Sequence, residues 1–260
     1  MLTAITRAVS ERLPACELTH LERVPIDITR ARAQHAAYEA ALAAAGTLVV
    51  RLPAADDLPD AVFVEDTAVV LDEVAVVTRL GARSRAAEAD DIAAALAEYR
   101  PVRRLIRPAT LDGGDVLRVG RTLYVGHSGR TNGAGVQQLR SLIWRHGYRV
   151  VAVPVRGCLH LKSAATLADD HTLVLNPQWV PEDAFAGAGL DILRIPEEEP
   201  WGANVLRIGD VVLVPDNVPR TRALLASRGL AVRRVDVSEL QKAEAGVTCM
   251  SIVLAGTAAL

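Results

Sequence analysis

Aromatic residues make up only 3% of this 260-residue chain. That scarcity removes the stacking platform on which single-stranded nucleic acids bind. Basic residues are in no excess either: 29 Lys and Arg stand against 31 Asp and Glu, a formal net charge of −2. Such a balance offers no basic footprint for nucleic acid or for a membrane surface. No apolar run approaches the roughly 20 residues that span a bilayer. The opening Met1-Leu2-Thr3-Ala4-Ile5-Thr6 is broken by Arg7, Glu11 and Arg12 before a signal-peptide core could form. The expected setting is the cytoplasm. Cys16, Cys158 and Cys249 are an odd set without metal-type spacing, so neither a disulfide framework nor a zinc knuckle is indicated. Reduced thiols are the default, and each is a candidate nucleophile. No Gly-x-Gly-x-x-Gly turn follows the first strand, which argues against a doubly wound nucleotide-binding sheet.

What the chain does contain is a repeat. Half of its residues are hydrophobic, enough for a large core. At intervals of about 45 residues, one reactive or polar side chain recurs in or beside a short apolar strand, with a second strand soon after. These residues are Asp66, Asp112, His160, Asn204 and Cys249. Helices are expected from Thr29 as N-cap to Gly46, from Ser84, from Thr131 to Gly147, weakly near Pro181, and from Arg220 to Arg228. Each is followed by a strand, as in Leu48–Leu52, Val102–Ile106 and Arg149–Pro154. Five strand-rich units with helices outside predict a five-bladed α/β propeller closed by the chain ends, a single domain over residues 1–260. In a ring, equivalent positions converge on the axis. A Cys, a His and two carboxylates brought together there form a candidate active site.

Each residue has a plain structural reading beside the chemical one. Cys249, in Gly246-Val247-Thr248-Cys249-Met250, is expected in a short strand and could be a buried core thiol. Its shared phase with His160 favours a nucleophile served by an acid/base within reach. Cys16 and Cys158 lack that phase and read as structural. Asp112 could simply turn the chain at Asp112-Gly113-Gly114; the chemical reading makes it the acceptor that orients His160. Asp115 reads as structural. Glu65 and Asp66 would be costly to desolvate inside a ring unless a cation arrives to pair with them, and a guanidinium is the best match to a carboxylate. Arg85 and Arg130 both precede outer helices, where a cation opposes the macrodipole unless an anion docks. Arg220-Thr221 has the same phase, so a structural motif is the competing explanation.

Phe63-Val64-Glu65-Asp66, Thr110-Leu111-Asp112-Gly113-Gly114-Asp115-Val116, Gly129-Arg130-Thr131-Asn132, Leu159-His160-Leu161-Lys162-Ser163 and Thr248-Cys249 together resemble the dimethylarginine dimethylaminohydrolase family of the pentein, or guanidino-group-modifying, superfamily. The resemblance runs nearly end to end. It implies a five-bladed α/β propeller that hydrolyses Nω-methylated L-arginine to L-citrulline and methylamine or dimethylamine, through a covalent thiol adduct. It assigns Cys249 as nucleophile, His160 as general acid/base and Asp112 as its support. Glu65 and Asp66 would hold the guanidinium, and Arg85 and Arg130 the α-carboxylate. Asp60 and the carbonyl near Ala243 would take the α-amino group, with Leu18 in a loop folding over the amino acid. No metal or organic cofactor is implied, although a Cys/His/carboxylate cluster can bind Zn²⁺ adventitiously. The partner is a small-molecule substrate, with room for a homodimer. Two relatives offer alternatives, an arginine deiminase acting on unmethylated arginine and a non-catalytic pentein-fold binding factor. Deiminases carry an aspartate two residues after the catalytic His, where this chain has Lys162. The complete Cys249, His160 and Asp112 set opposes the binding factor.

Overall fold

The computed structural model describes residues 1–255. The chain enters through β1 (Leu2–Arg7), crosses by helix α1 (Ile28–Ala44) and returns in β2 (Thr47–Leu52), parallel to β1. The second unit is β3 (Ala68–Val70), β4 (Ala75–Val77), α2 (Ala89–Ala97) and β5 (Val102–Arg104). The third is β6 (Val116–Val119), β7 (Thr122–His127), α3 (Gly133–Ile143) and β8 (Arg149–Pro154). A helical turn, α4 (Leu161–Ala164), opens the fourth, which continues as β9 (Ala165–Leu167), β10 (Thr172–Leu175) and β11 (Asp191–Arg194). Then follow β12 (Leu206–Ile208), β13 (Val211–Pro215), α5 (Pro219–Ser227), β14 (Ala231–Val235), the short α6 (Ser238–Gln241) and β15 (Ile252–Ala255).

Five three-stranded sheets result, each with the same plan: an inner strand antiparallel to the middle one, and the middle strand parallel to the outer. A parallel pair needs a crossover, and the helices supply it. In the fourth unit a 3-10 turn, Glu182–Phe185, stands in its place. The inner strands β3, β6, β9, β12 and β15 line one central cavity, so the sheets are blades around an axis. The last strand closes the ring: β15 lies antiparallel to β1, with Leu2 opposite Ala255 and Ile5 opposite Ile252. The core lies between blades and their helices. Val136, Leu139 and Ile143 of α3 pack with Leu123 and Val125 of β7 and Val76 of β4. Ile5, Val64, Ile92 and Ile252 join the first two blades.

The element bounds differ from the sequence expectation in instructive places. The first helix is capped by Asp27, whose side chain accepts the Arg30 N–H, so Thr29 lies inside the first turn. The second helix begins at Ala89, because Arg83–Glu88 winds as a 3-10 helix around the buried Arg85. The third starts after Asn132, which caps Gly135 N–H, and ends in a 3-10 turn stopped by Gly147 at φ 78°. Val62-Phe63-Val64 and Val247–Met250, expected as strands, are turns. Their apolar side chains are buried all the same, which is what makes them resemble strands.

Candidate active site

Asp66, Asp112, His160, Asn204 and Cys249 each lie in a turn just upstream of an inner strand. Chain direction reverses there, so the side chains gather at one mouth of the ring. Asp66, Arg85, Arg130, His160 and Cys249 line one tight cavity of about 10 Å³, together with Phe63, Asp60 and Ala243. Glu65 and Lys162 instead line the axial cavity on the other side, so the two cavities meet at the Glu65-Asp66 pair.

His160 caps α4 from an extended backbone. Its Nε2 lies 3.0 Å from Asp112 Oδ2, and its Nδ1 lies 3.7 Å from Asp66 Oδ1. Burial pushes the imidazole pKa down, but Asp66, Asp112 and Asp115 outweigh it and raise the value to about 9. The ring is therefore an imidazolium at neutral pH. Gly114 is what allows this approach: a Cβ there would stand 2.6 Å from His160 Nδ1 and 2.7 Å from Asp66 Oδ1. Asp115 Oδ1 accepts the Leu161 N–H at 2.9 Å and Oδ2 accepts the Thr131 hydroxyl at 2.7 Å, so it ties three loops together.

Cys249 is partly buried, in a turn that brings Gly246 N–H within 3.3 Å of its Sγ. Burial first, then the Glu65 and Asp66 carboxylates, push the thiol up to about 12. Thr248 is anchored by Asn204, whose Nδ2 donates to its hydroxyl at 3.0 Å and whose Oδ1 accepts its N–H. The hydroxyl of Thr248 in turn donates to Glu65 at 2.7 Å, and Lys162 Nζ donates to the other Glu65 oxygen at 2.6 Å. Burial raises the Glu65 pKa against the opposing pull of Lys162. Asp66 differs: burial is outweighed by His160 and Arg85, and its carboxyl falls to about 2.

The two arginines are unlike. Arg85 is buried with its N–H groups on Glu88, Asp66 and the Phe63 carbonyl. Arg130 donates from Nη2 to Thr19 Oγ1 at 3.3 Å, whereas its buried Nη1 has no hydrogen-bond partner. Asp60 accepts the Glu17 N–H at 3.0 Å, and burial raises its carboxyl pKa. Leu18 is half-buried against the core in the irregular segment after Cys16. Asp66, Asp112 and His160 bring three ligand-type atoms within 4.8 Å of one another. Those atoms are spent on each other, on Arg85 and on Gly114 N–H, and an ion-paired guanidinium at the rim disfavours a dication there. Cys16 and Cys158 are buried away from this cavity.

Sequence reasoning missed Gly114 as a packing requirement, Thr248 and Asn204 as the frame of the thiol turn, Glu88 as the partner of Arg85, and Glu244. Asn204 at least shared the repeat phase. Glu88 stands three residues from Arg85, a spacing that could have flagged the pair; the others had no local signal, because their partners lie in distant segments of the chain.

The family model for arginine deiminase matches residues 53–188. The N(G),N(G)-dimethylarginine dimethylaminohydrolase of Streptomyces coelicolor is 44% identical over 253 residues, covering 96% of both chains. The protein of the same name from Pseudomonas aeruginosa is 35% identical over 87% of this chain and 89% of its own. A solved structure of the Pseudomonas aeruginosa protein, a mutant complexed with citrulline, superposes with a TM-score of 0.91 at 32% identity, covering 97% of this chain and 98% of that one. The N-terminal domain of ArgZ, a cyanobacterial arginine dihydrolase, shares the fold at a TM-score of 0.87 and 17% identity, over 98% of each chain.

Proposed function

The chain belongs to the dimethylarginine dimethylaminohydrolase family, and from that premise we propose that it hydrolyses Nω-methylated L-arginine to L-citrulline and methylamine or dimethylamine. The observation that carries the reading is the Cys249 thiol on one small cavity with a His160 imidazolium backed by Asp112. Of the charged residues lining that cavity, the carboxylates Glu17, Asp60, Asp66 and Glu244 outnumber Arg85, Arg130 and His160. A cationic ligand relieves that excess.

A thiol held at about 12 is not a nucleophile at neutral pH. A guanidinium bound beside it, against Asp66 and Glu65, supplies the positive charge that favours the thiolate. The thiolate attacks the central guanidinium carbon, and His160, already protonated, gives its proton to the departing alkylamine. The neutral imidazole then takes a proton from water, which adds to the S-alkylthiouronium carbon. Collapse of that tetrahedral species releases citrulline and returns the thiolate. Asp112 holds Nε2 throughout, leaving Nδ1 for the proton transfers. Arg130, whose Nη1 makes no hydrogen bond and lies 3.6 Å from Asp112 Oδ2, is the stronger candidate for the α-carboxylate, while Arg85 chiefly sets Asp66. Asp60 and the Ala243 carbonyl would take the α-amino group under the Leu18 loop.

Lys162 distinguishes the substrate from unmethylated arginine. Its ammonium is bonded to Glu65 and presents no acceptor. A methylated nitrogen has lost N–H donors, and a site built to satisfy all of them would be left with unpaired acceptors. Citrulline release measured in parallel with dimethylarginine, monomethylarginine and arginine tests this. Methylated substrates should give the higher kcat/KM, and Cys249→Ser should release none. Arginine as the better substrate would return the chain to deiminase chemistry. A single domain over residues 1–260 and a cytoplasmic setting for the three free thiols belong to the same proposal. A homodimer does too, and light scattering tests it.

A further inference from the structure

Glu244 is the one non-glycine residue with positive φ among the described residues, at φ 61°. An L side chain rarely adopts that conformation, and such a residue persists only where its surroundings over-determine it. The surroundings are unusual. Its buried carboxylate accepts the backbone N–H groups of three successive residues: Thr19 at 3.0 Å, His20, and Leu21 at 2.6 Å. Consecutive N–H groups turned to one side form a concave anion seat, and hydrogen bonds to a charged acceptor are the strong kind. No Lys or Arg among the described residues pairs with Glu244 by an ion pair, so the backbone alone carries its charge.

The segment it grips spans residues 16–27, which has no regular secondary structure and is largely exposed from Thr19 to Pro25. Besides Glu244, this segment is held near the cavity by Glu17 N–H on Asp60 and by Arg130 on the Thr19 hydroxyl. Asp60 and Arg130 are residues to which the proposed function gives the ends of the amino acid. Glu244 also follows Ala243, and both line the same cavity.

We propose that Glu244 is the latch of this segment: a positioning residue that holds residues 18–21 closed over the amino-acid end of the substrate. The assignment rests on the substrate reading above. It separates closure from chemistry, because the carboxylate bonds only to the strap and not to His160 or Cys249. Losing it should weaken substrate retention and expose the thiol while leaving the attack on the guanidinium carbon intact.

The test compares Glu244→Ala, Glu244→Gln and Glu244→Gly with wild type. The glycine variant keeps the left-handed backbone without strain, so it folds even where alanine does not. KM for dimethylarginine should rise about tenfold or more in the alanine and glycine variants, the scale of losing charge-assisted hydrogen bonds, with kcat changed less than about threefold. Glutamine should fall between. Alkylation of Cys249 by iodoacetamide and tryptic cleavage after Arg23 should both accelerate in the unliganded variants. Unchanged KM, alkylation and cleavage in the glycine variant would overturn the latch, as would a loss confined to kcat. The last two measurements need no turnover, so they decide the latch even if dimethylarginine proves not to be a substrate.

Discussion

Gly114 shows how tightly the acid/base pair is set. Its missing Cβ leaves the space in which His160 Nδ1 and Asp66 Oδ1 approach. Gly114→Ala should therefore displace the imidazole and slow turnover by roughly 10²-fold, the range for losing a positioned acid/base. A steady-state rate within a few-fold of wild type would show that the ring yields easily. Arg130 and Arg85 separate by their hydrogen bonding. Arg130→Ala should raise KM for the amino acid far more than for a decarboxylated analogue, because the buried Nη1 makes no hydrogen bond, its nearest carboxylate being Asp112 at 3.6 Å. Arg85→Ala should weaken both substrates alike and lower stability, since it strips the buried Asp66 and Glu88 of their cation, a break that costs about 3–5 kcal/mol. His160 gives a pH signature. Its pKa is raised in the fold to about 9 from an ordinary 6.5, so its stabilising contribution is complete below pH 6.5 and is lost as pH rises through 9. Across that window the denaturation midpoint should fall further in wild type than in His160→Asn. Parallel profiles would mean that the imidazole is not charged at rest.

At the scale of elements, α3 carries the clearest wager. Asn132 Oδ1 accepts both Gly135 N–H, at 2.8 Å, and Thr110 N–H, at 3.1 Å, so one side chain caps the helix and fixes the irregular segment leading to Asp112. Asn132→Ala should cost about 1–2 kcal/mol, visible as a shifted urea midpoint. It should also raise KM, since Arg130 enters through the same turn. The sequence reveals elements of this kind well: the helix expected from Thr131 to Gly147 is α3 with its closing 3-10 turn, and β8 has its expected bounds. It misleads at Val62–Val64 and Val247–Met250. Short apolar runs do not distinguish a strand from a buried turn, and here the turn is what delivers Asp66 and Cys249 to the cavity. The late start of α2 has a related cause. Arg85 must reach Asp66, Phe63 and Glu88 at once, a tertiary demand that no local propensity announces. The catalytic candidates are legible because the repeat marks them in phase. Among their supports, Gly114 and Glu244 leave no periodic trace because the groups they meet lie in distant segments, and Glu88 matters only once Arg85 is buried beside it.

For the whole molecule the decisive seam is between the first two blades, the first of which is completed by the late strand β15. Ile5 is wholly buried there with Val64, Ile92 and Ile252. Ile5→Ala should cost about 2–5 kcal/mol, and activity and secondary structure should be lost together in denaturant. If activity fell well before the circular dichroism signal, the blades would be melting singly and the ring would not be one cooperative unit.

That seam also sets an order of events during synthesis. His160, Asp112 and the Glu65–Asp66 pair are all translated before Cys249, and the strand that follows its turn, β15, is the last described element to emerge. A chain that has not yet placed β15 therefore carries no assembled site, however much of it has folded. Until β15 pairs with β1, no ring holds Cys249 against His160, and the thiol is an ordinary cysteine. The ring topology thus keeps the reaction silent until its closing strand is in place.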